Sequence, residues 1–112
     1  MKVSIVRGGG LAGLVKTTTV DTDALSAEDA HRLREKVDQA GIFELPGELT
    51  PHGQQKDRFS YALTVKDAER EHTVLASEEA LPARVHSLVS WLGTVPERED
   101  RIERAGEGPP PG

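Results

Sequence analysis

The chain has four histidines, His31, His52, His72 and His86. None stands in an HExxH, HxH or Cys/His pattern, the spacings that bring imidazoles onto one metal ion. His31 and His86 fall on different expected helices and His52 in a loop, so ordinary surface or partly packed histidines are the plain reading. Acidic pairs come next. Asp21 with Asp23 has the spacing to chelate a cation, and equally that of a turn leading into a helix. Glu78 with Glu79 fits the first turn of a helical segment, where the helix dipole favours negative charge. Neither pair sits in an apolar frame suited to general acid–base work. Ser26, Ser60, Ser77, Ser87 and Ser90 lack a G-x-S-x-G setting. The residues argue for no enzyme, no metal and no cofactor.

The remaining chemical candidate is the glycine-rich segment Arg7-Gly-Gly-Gly-Leu-Ala-Gly-Leu14. A phosphate loop of the Walker form needs G-x-x-x-x-G-K-[ST] with a helix behind it. Here Gly13 is followed by Leu14-Val15-Lys16 and then a Thr-rich strand. The dinucleotide form also wants strand, loop, helix. Both fail on context. A permissive hairpin loop and a protein-recognition loop remain. Leu11 and Leu14 favour recognition, because large apolar residues held out by glycines are poorly placed unless they fold back or meet a partner.

The chain is 112 residues long, with 14 Lys+Arg against 19 Asp+Glu and a net charge of -5. That is one domain at most. The longest apolar run is far too short for a bilayer span, and no classical secretory signal is visible, which makes the cytoplasm the default location. The absence of Cys excludes a disulfide scaffold and thiol catalysis. The acidic balance argues against a duplex-binding surface. No nucleic-acid or membrane partner is expected.

Residues 3–6 and 15–20 are β-branched and predict two strands joined by the glycine-rich loop. Ser26 predicts a helix N-cap, with Asp29 at the third helical position. Ala27, Ala30, Leu33, Val37 and Ala40 form an apolar stripe at helical spacing, and Gly41 ends it. Residues 50–57 are polar and breaker-rich. Phe59, Tyr61, Leu63 and Val65 alternate with polar or small residues and predict the clearest strand. Lys66 to Arg70 is its hairpin turn, and His72, Val74 and Ala76 mark the returning strand. Leu81-Pro82 opens a second helix with the stripe Val85, Leu88, Val89, Leu92, and Trp91 is expected to cover the helix–sheet seam. The fold class is α+β: a four-stranded antiparallel sheet of two hairpins packed against two helices, in the order β-β-α-β-β-α. The domain is expected to span 1–95. Residues 96–112 are charged and Gly/Pro-rich and predict a mostly disordered tail, with a helical turn or two around Arg98–Arg104.

Several of these segments together resemble the emfourin family, small protein inhibitors of protealysin-like, thermolysin-type zinc metalloproteases. The likeness runs through Met1-Lys-Val-Ser-Ile-Val-Arg-Gly-Gly-Gly-Leu-Ala-Gly-Leu14, Leu25-Ser-Ala-Glu28, Phe43-Glu-Leu-Pro46, Asp57-Arg-Phe-Ser-Tyr-Ala-Leu-Thr-Val65 and Leu81-Pro82 to Trp91-Leu92. Gly8 departs from the small polar residue of the family pattern. The resemblance implies a 1:1 inhibitor that occludes the active-site cleft, with the zinc belonging to the protease. By position it points to Met1, Arg7, Gly8, Gly9, Gly10, Leu11, Ala12, Gly13 and Leu14 as partner-binding residues. The Lys66–Arg70 turn and the 50s loop are lesser candidates. Leu11 would suit the S1′ pocket of a thermolysin-type enzyme, which prefers large apolar groups. The competing class is a non-catalytic adaptor or structural domain that binds another protein through the same loops. A neighbouring gene for an HExxH protease would favour the inhibitor.

Overall fold

The structure, a computed structural model, describes residues 1–8, 14–49, 61–77 and 80–104. Alternation of side chains builds its strands. In β1 (Lys2–Arg7) Val3 and Ile5 are buried, and β2 (Leu14–Asp21) buries Thr18 and Val20. β4 (Tyr61–Asp67) buries Tyr61, Leu63 and Val65, while β5 (Arg70–Ala76) buries Val74 and Ala76. Each set lies two residues apart, so one face of each strand meets the core.

The helices supply the other half of that core. Ser26 Oγ accepts from the Asp29 amide at 3.1 Å and starts α1 (Ala27–Ala40). Gly41 ends it in the left-handed region, φ 64°, where a side chain would cost about 1–2 kcal/mol. α1 buries Leu33, Val37 and Ala40, whereas Ala27 at the start of the expected stripe is exposed. α2 (Ala83–Leu92) begins behind Pro82 and buries Val85, Leu88 and Leu92. These residues and the strand set, Thr18 and Ala76 apart, form one hydrophobic cluster. Burying each large aliphatic side chain in it contributes about 1.5–3 kcal/mol. Trp91 holds the Lys36 ammonium of α1 5.9 Å from its ring centroid. It therefore stands at the α1–α2 junction rather than only over a helix–sheet seam.

Both expected hairpins form, β1 with β2 and β4 with β5, and β1 joins them by pairing antiparallel with β4. The sheet itself differs from expectation. It has six strands in the order β3 (Glu48–Leu49), β5, β4, β1, β2, β6 (Glu99–Arg104) and is mixed, not a four-stranded antiparallel sheet. The extra strand β3 (Glu48–Leu49) pairs parallel with β5. Two residues are too few to show any periodicity. Backbone bonds hold it, Leu75 N–H to Gly47 C=O at 2.8 Å and Ser77 N–H to Leu49 C=O at 3.4 Å.

The last strand, β6 (Glu99–Arg104), pairs antiparallel with β2. It lies where a disordered tail with a helical turn was expected, so the sheet extends to Arg104. Its sequence buries almost no apolar surface, and the backbone ladder to β2 does most of the holding. One polar anchor helps: Thr18 Oγ1 donates to Asp100 Oδ1 at 2.7 Å, and Arg98 Nε donates to Asp100 Oδ2 at 2.9 Å. The expected helical opening at Glu78 and Glu79, the start of the Phe59 strand and residues 105–112 lie outside the described residues.

Candidate functional site

The strand register sorts the candidate residues to two ends of the sheet. β1 runs from Met1 to Arg7, and six residues of strand span about 20 Å. Met1 and the Arg7–Leu14 segment are therefore at opposite ends. Arg7 pairs with Lys16 on one side and with Tyr61 on the other. Tyr61 in turn pairs with Ala76, and Ala76 with Leu49. The connections spanning 8–13 and 50–60 thus leave the sheet at the same end, as does the segment after Ala76. The sequence alone could not show this, because it follows from β1 lying between β2 and β4.

At that end Arg7 is exposed and its guanidinium carbon lies 5.3 Å from the centroid of the Tyr61 ring. Its Nη2 donates to the Tyr61 hydroxyl at 3.3 Å. Tyr61 itself is buried, so the Arg7 contact closes the core where the loop begins. Gly8 does not use positive φ, and a Cβ built on it would meet Val15 Cγ2 at 3.6 Å, an ordinary contact. A small polar residue fits there without strain, so the Gly8 departure changes freedom rather than shape. Gly9, Gly10, Leu11, Ala12 and Gly13 lie outside the described residues; Leu14 opens β2 opposite Arg104.

The other end carries Met1 and the Lys66–Arg70 turn. The Met1 α-ammonium donates to Thr22 Oγ1 at 3.0 Å, and the Met1 carbonyl accepts from the Thr22 amide at 2.9 Å. Beside it opens a cleft of about 280 Å³ with Met1, Val37, Ile42 and Phe43 among its apolar lining and Arg34 and Arg70 at its rim. The Arg70 guanidinium lies 4.1 Å from the Phe43 centroid and 3.6 Å from the Asp67 carboxylate. That turn contains Ala68 at φ 54°, the one non-glycine with positive φ among the described residues.

Several of the remaining polar candidates have structural partners. Asp21 Oδ1 accepts from the Asp23 amide at 2.9 Å and caps a short 3-10 turn. His31 lies 3.7 Å from Glu35 on an exposed helix face, and His72 Nε2 is 2.7 Å from the Leu45 carbonyl. Among the described residues no three His, Cys, Asp or Glu side chains gather as a metal site would require. No helix among them is long and apolar enough to cross a membrane. Asp100 has a carboxyl held below its ordinary range, first by the Thr18 hydroxyl; desolvation opposes this, and the charges of Arg98 and Lys16 lower it further.

No curated protein and no solved structure matches the chain. A protein-family model described as Emfourin matches residues 5–93, from within β1 to just past α2. The match covers more than half of the chain and leaves β6 outside it. The segments singled out in the sequence fall almost wholly inside the match, and the chain belongs to the emfourin family, a family of protease-inhibitor domains.

Proposed function

We propose that the chain inhibits a thermolysin-like zinc metalloprotease, one inhibitor to one enzyme, by laying the sheet end that carries residues 8–14 across the active-site cleft. Family membership supports a protease as partner. The observation that carries the geometry is the pairing of Arg7 with both Lys16 and Tyr61, which sends two long connections out of one end of a rigid sheet. Two connections anchored at one end of a sheet would give a cleft-blocking surface without a reactive group. Leu11 offers the apolar side chain for the S1′ pocket, and the chain supplies no chemistry of its own.

The test compares the two ends. Leu11→Asp puts a carboxylate where an apolar pocket would have to desolvate it. Loss of such an anchor weakens binding by about 30-fold, the effect of roughly 2 kcal/mol at a hot spot. A Gly-Ser extension ahead of Met1 perturbs the opposite end and leaves inhibition unchanged. Retained inhibition by Leu11→Asp, with loss on extension, would move the contact to the Met1 end.

A further inference from the structure

β6 is an edge of the sheet, and among the described residues no strand lies beyond it. The opposite edge, β3, is only two residues long. The β2 register fixes which way each β6 position faces. Asp100 stands opposite Thr18 and Ile102 opposite Lys16, on the helix side of the sheet; Glu99, Arg101 and Glu103 stand opposite Thr19, Thr17 and Val15, on the open side. Ile102 is 63% exposed, the one large hydrophobe left so among the described residues.

We propose that a second copy of this chain docks on this edge, β6 against β6, antiparallel, about a two-fold axis normal to the sheet at Ile102. Such an axis keeps every residue on its own face, so a position of β6 can only oppose one an even number of residues away. Centred on Ile102, the register sets Arg101 opposite the second copy's Glu103, and symmetry repeats the pair. Asp100 falls opposite position 104, an arginine, again twice. The two Ile102 side chains meet across the axis and cover each other. Directly opposed side chains are about 4.5–5.5 Å apart at Cβ, close enough for Arg101 and Glu103 to pair.

The other centres fail. Centring on Arg101 opposes arginine to arginine and Glu99 to Glu103. Centring on Asp100 or Glu103 puts two carboxylates face to face on the axis. Charge on an edge strand ordinarily blocks sheet-to-sheet pairing. Here the order Asp100-Arg101-Ile102-Glu103-Arg104 is self-complementary in one register and repulsive in its neighbours, which turns a block into a choice of partner. The edge is short, so the association is weak and shows only at high concentration.

Sedimentation velocity on the full chain, in a low-salt concentration series reaching about 1 mM, tests the pairing. The wild type shifts towards dimer. Arg101→Glu and Glu103→Arg each weaken association by about tenfold, and the double substitution restores it to within about threefold, because it exchanges the signs within each pair. Both side chains lie on the open face, where the changes spare the core; circular dichroism confirms the fold. Ile102→Asp, which sets two carboxylates on the axis, gives an independent loss. A wild type that stays monomeric throughout the series overturns the proposal. So does association untouched by the single changes, or a double variant no better than the singles.

Discussion

Thr18 Oγ1 and Asp100 Oδ1 are 2.7 Å apart across the β2–β6 pair, joining residues 82 positions apart in the chain. Thr18 is buried, so its hydroxyl needs a partner, and Asp100 supplies the acceptor. The bond fastens a strand that has little apolar surface to hold it.

Acidification should therefore loosen β6. The folded-state value of Asp100 is depressed, with the Thr18 hydrogen bond as the largest cause. A depressed carboxyl contributes its stabilisation in full above the unfolded value and loses it as pH falls towards the folded one. Protection factors for the amides of residues 99–104 are expected to fall as the pH drops below the ordinary aspartate value of about 3.9. Asp100→Asn removes that acid-dependent part. An equal fall in the variant would assign the effect to other carboxyls.

Ala68 sits at φ 54° in the two-residue turn between β4 and β5. This is the first turn position, where a type II′ hairpin takes glycine. Glycine adopts positive φ there without a Cβ penalty, and a β-branched residue tolerates it worse than alanine. Ala68→Gly should raise stability by about 1 kcal/mol, and Ala68→Val should lower it. Urea midpoints of the three proteins check the order.

Arg7 braces Tyr61 by ring stacking and a hydrogen bond at the base of the first hairpin loop. Arg7→Ala should cost about 0.5–1 kcal/mol, the value of an exposed cation–π contact. Arg7→Lys should recover only part of it, since a lysine keeps the charge and loses the planar fork. Denaturant unfolding separates the two. A neutral Arg7→Ala would show that Tyr61 is held without it.

The sequence made the central strands and both helices legible, because their side chains report burial. Val3 and Ile5, then Leu63 and Val65, alternate as half-buried strands do, and Ser26 and Gly41 bound α1 as caps. β3 and β6 left no such mark. Residues 48–49 are fixed by the backbone of β5, and residues 99–104 by the backbone of β2. A strand recruited by a neighbour's open edge needs no apolar face of its own. The nearest sequence signal for β6 was the polar Thr18 in an inward position of β2, which demanded an acceptor. The candidate site divided in the same way. Arg7 to Leu14 was visible from glycine content, but that Arg7 stands at the sheet end opposite Met1, shared with Leu49 and Tyr61, came only with the strand order.

Titration of a thermolysin-like protease with the chain, reading residual peptidase activity, tests the inhibitor reading most directly. Activity should fall linearly and reach its floor at one inhibitor per enzyme. Activity unchanged at several-fold molar excess, across a panel of such proteases, would contradict it and favour a domain that binds some other protein.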